Sequence, residues 1–271
     1  MKIGEDHISS IIYHNYFDYP LTEKELEKWR MGEKGDYGLK IRDCGFENGF
    51  FFLKGREEII KKRLVRERAS AHKLNLARKY SKIFKFIPTI KFVGITGSLA
   101  MMNADKDADI DLIMICKKGT LWTTRAIILI ILIILRIPIR RFGDKFQKDK
   151  LCLNIWLDES DLVWPTKERN SYTAHEIAQI IPLINKGGAC QKFLWENRWI
   201  LKYWPKAVEI SSRQSVLHLT SYILYPFEHL AFWLQYLYMR SKITNEVISP
   251  TRAIFHPRKF PLDNLKFDSV K

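Results

Sequence analysis

Two short apolar runs joined by a polar, acidic turn constrain the fold of this chain more than any other feature. The first run is Ile90 to Ile95 (IKFVGI), and the second is Asp109 to Cys116 (DIDLIMIC). Each is bounded by turn residues and has the length of a strand buried on both faces. Between them, Thr96-Gly97-Ser98 leads into a short helical stretch, LAMMNA. The order strand, turn, short helix, strand predicts a sheet with helices beside it.

Four residues in this stretch suit the binding of phosphate and metal. Gly97 directly follows the first run, where a missing side chain permits close approach of another group to the backbone. Ser98 offers a hydroxyl and free backbone N–H groups at a helix start, which favours a phosphate. Asp109 and Asp111 alternate along a strand, so both carboxylates leave the same face. Two oxygen ligands side by side suit Mg²⁺ or Mn²⁺, which share their coordination shell with substrate phosphates.

This arrangement resembles the DNA polymerase β nucleotidyltransferase superfamily. The pattern of that family is an apolar strand, Gly-Ser or Gly-Gly, a spacing like the ten residues between Ser98 and Asp109, and an acidic pair set in apolar residues. The resemblance is close over residues 90–160, and we place the nucleotidyltransferase core at 86–165. It implies an α+β fold, in which a small mixed sheet is flanked by helices.

The resemblance also implies a reaction and a ligand set. Gly97 and Ser98 would hold the triphosphate of a nucleoside triphosphate, and Asp109 and Asp111 would bind Mg²⁺ or Mn²⁺. An acceptor hydroxyl would take the nucleotide, with release of pyrophosphate. The acceptor stays open, with nucleic acid, a protein side chain, a small molecule and a lipid-linked precursor as candidates.

The chain departs from the family at the third carboxylate, which usually lies on a later strand. The strand predicted here is residues 151–157 (LCLNIWL). Strict alternation places four of its residues on one face and puts Asn154 on the other, facing the aspartates. The four are Leu151, Leu153, Ile155 and Leu157. Asn154 is therefore the candidate third metal ligand, and Asp158 would serve only if the strand were longer. A neutral amide oxygen in place of a carboxylate predicts weaker binding of a second metal ion.

Residues 1–55 resemble a winged-helix unit of the kind that precedes the nucleotidyltransferase domain in one branch of the family. Helical patterns at 7–17 and 23–31 come first, and Thr22 with Glu25 forms a capping box for the second helix. Asn48-Gly49 then gives a two-residue hairpin signal. A winged helix can bind DNA or only other proteins, and the sequence does not distinguish the two.

Two further segments complete the chain. The sequence pattern of residues 56–85 predicts one long basic helix. This helix would be either a solvated connection between domains or a basic wall beside a phosphate-bearing substrate. Residues 166–271 predict a helical C-terminal region. Its expected helices are 172–185, 189–203 and 213–239. Lys117, Lys118 and Arg125 are the basic residues best placed in sequence to reach phosphates.

The 271-residue chain carries a formal net charge of +15. Such a surplus favours a polyanionic partner, which would be nucleic acid, nucleotide phosphate or an anionic membrane surface. A basic surface without such a partner is the alternative. The N-terminus has no apolar signal core, and the four cysteines lack metal-site spacing, so we expect a cytoplasmic protein with reduced thiols.

Residues 126–135 (AIILIILIIL) are wholly aliphatic. A membrane-spanning helix needs about 20 apolar residues, so no transmembrane segment is expected. The preferred interpretation is a helix or strand buried on all sides. The alternative is a membrane-surface helix, because Arg136, Arg140 and Arg141 cluster just beyond it, and peripheral membrane contact stays open.

Two rival functions come from other classes. A glycosyltransferase uses an Asp-x-Asp on its nucleotide-sugar metal, but there the apolar strand runs into the pair, whereas here LIMIC runs out of it. A nucleic-acid-binding regulator would use the winged-helix-like segment and the basic helix, with a degenerate nucleotide-binding domain. DNA affinity with a steep salt dependence would favour the second rival.

Overall fold

The computed structural model describes residues 4–32, 40–210, 225–244 and 246–255. The described chain is a mixed α+β protein, as expected. Its N-terminal part consists of two helices and a small antiparallel sheet of strand order β1-β3-β2. These elements are α1 (Glu5–Asn15), β1 (Leu21–Thr22), α2 (Glu23–Lys28), β2 (Cys44–Glu47) and β3 (Phe50–Leu53).

The local signals of the N-terminal part are confirmed. Strands β2 and β3 form an antiparallel hairpin with Glu47 opposite Phe50. Asn48 and Gly49 between them have φ of 51° and 83°, the left-handed conformations that a tight hairpin turn requires. The Thr22 side chain accepts a hydrogen bond from the backbone of Glu25, which completes the predicted capping box. The comparison with a winged helix stays a prediction.

Helix α3 (Glu58–Ser81) is the predicted long basic helix. Its buried side includes polar side chains as well as Ile59 and Ile60. Arg63 forms hydrogen bonds to Glu25 and to the carbonyl of Pro20, so it fixes the helix to the N-terminal part. Leu64 and Val65, on the other side of the helix, are 45% and 62% exposed. One side of the helix is therefore packed against the rest of the protein, and its other side is solvated.

The central sheet is mixed and has six strands within the described residues, in the order β7-β4-β5-β6-β9-β8. The strands are β4 (Ile90–Ile95), β5 (Ile110–Cys116), β6 (Leu151–Asp158), β7 (Ile181–Asn185), β8 (Val247–Ser249) and β9 (Arg252–Ile254). Strands β4 and β5 are antiparallel, and β5 and β6 are parallel. Every residue of β5 is buried, because core clusters cover both faces of the sheet there.

The helices around this sheet are α4 (Gly97–Ala100), α5 (Leu121–Ile134), α6 (Ser171–Ala178), α7 (Ala189–Glu196) and α8 (Tyr225–Met239). The C-terminal region, which was expected to be mostly helical, also contributes three strands to the sheet. Residues 181–185, predicted as helix, form the edge strand β7, where Pro182 is tolerated. Residues 213–224 of the predicted helix 213–239 lie outside the described residues.

Helix α5 contains the aliphatic run, and its burial differs from the expectation. Ile128 and Leu132 are fully buried against the sheet. Ile130 and Ile134, on the other side, are 56% and 71% exposed. Burial on all sides is therefore wrong, because the helix covers one face of the sheet from the outside. Among the described residues, no helix is long and apolar enough to cross a membrane.

Candidate functional site

Gly97 and Asp111 lie in direct contact at one end of the central sheet. Thr96 donates its backbone N–H to the carbonyl of Asp111 at 3.0 Å, which ties the end of β4 to the start of β5. Gly97 has φ of 65°, and a Cβ added there would lie 2.6 Å from Asp111 Oδ2. The turn therefore needs glycine both for its conformation and for the space that the carboxylate fills. The next residue, Ser98, is exposed to solvent.

Asp109 stands immediately before β5 and forms an ion pair with Arg140. Arg140 Nη1 lies 2.7 Å from Asp109 Oδ2, and the Asp109 side chain is only 10% exposed. Asp111 is 8% exposed. Two nearly buried carboxylates thus share one end of the sheet with one guanidinium. The negative charge left over suits a cation.

A bulge in β6 brings two side chains to the aspartates. Cys152 pairs with Asp111, but Ile155 pairs with Ile113, so three steps along β6 match two along β5. Asn154 Nδ2 donates a hydrogen bond to Asp111 Oδ1 at 2.8 Å. The predicted contact between Asn154 and the aspartates is therefore present. The predicted strict alternation is wrong beyond the bulge, since Ile155 packs with Ile113 while Leu151 packs in the opposite core.

Cys152 is a member of the site that the sequence did not indicate. One oxygen each from Asp109 and Asp111 and the Cys152 sulfur all lie within 4.8 Å of one another. Burial, together with the charges of Asp111 and Asp109, raises the pKa of the Cys152 thiol. A thiol is moreover a softer ligand than the oxygen ligands that Mg²⁺ prefers.

Several other candidates lie away from the aspartates. Asp158 pairs in register with Cys116, at the opposite end of β5, and accepts a hydrogen bond from the Gly119 backbone at 2.6 Å. The separation from Asp111 along the strand is about 17 Å. Lys117 and Lys118 follow that same distant end. Arg125 donates a hydrogen bond to Gln235 and stacks over Phe255. These residues therefore do not join the site.

Helix α3 supports the loop that leads into Asp109. The ammonium of Lys73 is buried and donates to the carbonyls of Lys106 and Ala108 and to Asp149 Oδ1, at 3.0, 2.7 and 2.7 Å. The Ser70 hydroxyl accepts from the backbone of Ala104. These bonds hold both ends of the acidic turn, so the carboxylates stand on a fixed backbone.

A cavity of about 60 Å³ adjoins Gly97 and Ser98 on the side of the N-terminal part. His14 and His175 line it, with their Nε2 atoms 3.2 Å apart. Gln179, also in the lining, donates from Nε2 to the Gly97 carbonyl at 3.1 Å. Burial lowers the pKa of His14 to about 4, and burial together with His14 lowers the pKa of His175 well below its usual value. Both imidazoles therefore face the cavity uncharged at neutral pH. The N-terminal part and α6 thus form one wall beside the Gly-Ser turn.

No protein-family model, curated protein or solved structure matches this chain. The geometry of the site brings together Gly97, Asp109, Asp111 and Asn154 of the predicted set, with Ser98 exposed beside them.

The contacts that Arg140 and Lys73 make at the site were the hardest to predict from the sequence. Each is a basic residue among many, and the sequence separation from its carboxylate partner is 31 residues for Arg140 and 76 for Lys73. The signal that could have singled out Lys73 is its position on the inner side of an otherwise solvated helix. Arg140 had no such signal.

Proposed function

We propose that this chain binds a nucleoside triphosphate with Mg²⁺ or Mn²⁺ and transfers its nucleotide to an acceptor hydroxyl. One observation carries the proposal. The carboxylates of Asp109 and Asp111 converge within 4.8 Å and lie directly against the positive-φ Gly97 that precedes an exposed Ser98. The resemblance to nucleotidyltransferases rests on those same four residues.

The donor set fits one hard divalent ion. Mg²⁺ is bound in proteins by one or two carboxylates, with water and substrate phosphate completing its shell. Asp109 and Asp111 provide the carboxylates. Asn154 Oδ1 is buried and, among the described residues, has no hydrogen-bond partner, so it is available as a neutral oxygen ligand. A second ion has less support, because Cys152 and Asn154 occupy the region where the family has a third carboxylate.

Each residue of the site has a distinct task in this proposal. Asp109 and Asp111 hold the ion, and Asn154 orients Asp111 through its amide. Gly97 leaves room for that carboxylate, and the Ser98 hydroxyl donates a hydrogen bond to a phosphate oxygen. A bound divalent ion would neutralise phosphate charge and polarise the reacting phosphoryl group. Arg140 adds a positive charge beside the same carboxylates, where it can pair with a phosphate.

The transfer itself exchanges a phosphoanhydride bond of the nucleoside triphosphate for a phosphoester bond to the acceptor. The acceptor oxygen forms a bond to the α-phosphorus, and the bond from that phosphorus to the bridging oxygen of pyrophosphate breaks. The proton of the acceptor hydroxyl leaves to water, because the neutral Asn154 supplies no base at the position where the family has a third carboxylate. We therefore expect turnover slower than in enzymes with three carboxylates.

Nucleotide and metal binding are the first test. Binding of a fluorescent ATP analogue and of Mn²⁺, followed by fluorescence and by electron paramagnetic resonance, should require both aspartates. Asp109→Asn and Asp111→Asn should each lower metal-dependent nucleotide affinity at least tenfold. Asp107→Asn is the matched control, since Asp107 is an exposed carboxylate in the same turn. If both site variants kept metal-dependent nucleotide binding, the assignment of the site to these two aspartates would be wrong.

Transfer is tested separately with α-³²P-labelled nucleoside triphosphates and a mixture of RNA, protein and small-molecule hydroxyl acceptors. Label retained on an acceptor, and lost in Asp111→Asn, would support transfer. Metal-dependent binding without label transfer or pyrophosphate release would instead indicate a nucleotide-binding protein and would overturn the proposed transfer.

A further inference from the structure

Helices α5 and α8 present an unusually apolar outer surface. They pack on the same face of the central sheet, since Ile128 and Leu132 of α5 and Phe232 and Met239 of α8 belong to one core cluster. Their outward side chains therefore face the same side of the molecule. We call these outward residues the α5–α8 face. It consists of Ile127, Ile130, Ile133, Ile134, Phe227, Leu230, Trp233, Leu234, Leu237 and Tyr238, each at least 39% exposed.

Among the described side chains of α5 and α8, the two with a formal charge turn inward, so the α5–α8 face carries no formal charge. Arg125 is the one charged residue of α5, and its guanidinium bonds Gln235 and stacks over Phe255. Glu228 is the one carboxylate of α8, and it accepts from the backbone N–H groups of Trp122 and Thr123 at 2.6 and 2.8 Å. Contiguous apolar surface of this kind marks a site of interaction.

The segment that follows α5, residues 136–150, is basic and carries two exposed phenylalanines. Its sequence, RIPIRRFGDKFQKDK, has six basic and two acidic residues. Phe142 and Phe146 are 71% and 85% exposed. Aromatic side chains interleaved with cations are typical of segments that enter the headgroup region of an anionic membrane.

A basic cavity joins this segment to α5. It measures about 350 Å³, and its lining includes Ile133, Arg136, Arg141 and Lys150. The single carboxylate in the lining, Asp144, is already held by Lys150 at 2.8 Å and by the Arg141 backbone at 3.0 Å. Two guanidinium groups beside an aliphatic helix end suit a phosphate group whose acyl chains lie along the apolar surface.

From these observations we propose that the α5–α8 face and segment 136–150 dock on the surface of an anionic lipid bilayer. The helices lie in the interface, because α5 has only 14 residues and is about 21 Å long. The aliphatic side chains enter the acyl region, and Trp233 and Tyr238 lie at its boundary, where such rings are favoured. Arg136 and Arg141 of the segment contact lipid phosphates. The charge of the surface and the net charge of +15 single out an anionic bilayer as the occupant.

The experiment uses the full chain and vesicles of phosphatidylglycerol and phosphatidylcholine in equal parts, with pure phosphatidylcholine vesicles as the comparison. No nucleotide or metal is added, so the result is independent of the proposed transferase activity. The native chain should float with the anionic vesicles and much less with the neutral ones. Raising the salt concentration should weaken the binding, because salt screens the lysine and arginine contacts.

Two pairs of variants separate the apolar and the electrostatic contributions. Ile134→Glu on α5 should lower the vesicle partition constant at least tenfold, whereas Val65→Glu, a 62% exposed aliphatic position on α3, should leave it unchanged. Arg141→Gln should lower it about fivefold, the effect expected for one cation near an anionic surface. Lys79→Gln, an exposed cation on α3, is its control.

Other occupants of the face would give different results. If a second copy of the chain covers it, light scattering shows a dimer that Ile134→Glu dissociates, and vesicles bind neither form. If the chain's own residues outside the described ranges cover it, the protein is a monomer and does not float. Either result, or equal losses in Ile134→Glu and Val65→Glu, overturns the proposal. Circular dichroism and thermal unfolding verify that each variant is folded.

Discussion

A methyl group on Gly97 would stand 2.6 Å from Asp111 Oδ2, closer than real side-chain carbons approach an oxygen. Gly97→Ala therefore forces the Asp111 carboxylate out of place and also strains a backbone with φ of 65°. We expect a loss of roughly 1–3 kcal/mol in the free energy of unfolding and at least a tenfold loss of Mn²⁺ affinity. Denaturant titration and electron paramagnetic resonance measure the two effects.

Gly55→Ala separates strain from steric conflict. Gly55 has φ of 84°, but an added Cβ there meets nothing within 4 Å. This control should lose a similar amount of stability from backbone strain and keep its metal affinity. Equal metal affinity in native protein and Gly97→Ala would show that Asp111 does not bind the ion.

Asn154 is the residue to change in order to restore a third carboxylate. Its amide donates to Asp111 Oδ1 at 2.8 Å. Asn154→Asp replaces that donor by a negative charge, so the metal-free protein should unfold at a lower temperature because like charges repel. Divalent metal should bind about tenfold more tightly and restore the lost stability. Thermal unfolding with and without Mg²⁺ measures both changes.

Asn75→Asp on α3 provides the control for added charge, since Asn75 is exposed and distant in sequence from the site. It should alter neither the metal affinity nor the response of unfolding to Mg²⁺. A metal-free Asn154→Asp protein as stable as the native chain, with unchanged Mg²⁺ affinity, would contradict the placement of Asn154 at the ion.

The strands of the site were predictable from sequence because burial on both faces leaves an unbroken apolar run. Ile90–Ile95 has the predicted bounds, and β5 begins at Ile110, one residue later than expected. The edge strand β7 was missed for the opposite reason. Only Ile184 of its five residues is fully buried, so its pattern resembles the amphipathic helix predicted over 172–185.

Two features of the site depend on tertiary contacts that a sequence pattern does not contain. The bulge in β6 adds one residue between Cys152 and Ile155, and strict alternation cannot reveal where such a residue lies. Whether Ile130 and Ile134 are buried or exposed depends on whether another element packs against the outer side of α5, and in the structure they are exposed. An aliphatic run has the same sequence pattern in a helix buried in the core and in a helix that faces a membrane.

Lys73 links the basic helix to the acidic turn before Asp109. Its ammonium is 1% exposed and bonds two backbone carbonyls and the Asp149 carboxylate. Lys73→Met leaves these acceptors without their donor, so the free energy of unfolding should fall by about 2–3 kcal/mol. Denaturant unfolding measures the loss, and Mn²⁺ affinity should fall with it because the turn positions Asp109.

Lys79→Met on the exposed side of the same helix is the comparison, and it should change stability by less than about 0.5 kcal/mol. If both variants lost a similar free energy of unfolding, the loss would follow from removing any lysine of this helix. The buried contacts of Lys73 would then not be its cause.

His14 and His175 make the stability of the protein depend on pH. Burial lowers the pKa of His14 to about 4, and burial together with His14 lowers that of His175 below its usual range. The unfolded chain takes up protons at about pH 6.5, so it binds more protons than the folded chain between pH 6.5 and 4. Stability is therefore complete above pH 6.5 and falls on acidification. His14 alone should contribute a loss of about 2 kcal/mol between pH 7 and 5.

Denaturant unfolding at pH 7, 6 and 5 measures this slope. His14→Gln removes one titrating group and should flatten the slope. Glu25 does not contribute in this range. Although burial alone would raise its pKa, hydrogen bonds and charge from Arg63 lower it to about 2, so its contribution is lost only below about pH 4.5. A slope between pH 7 and 5 that is the same in His14→Gln and the native chain would show that the buried histidines do not cause it.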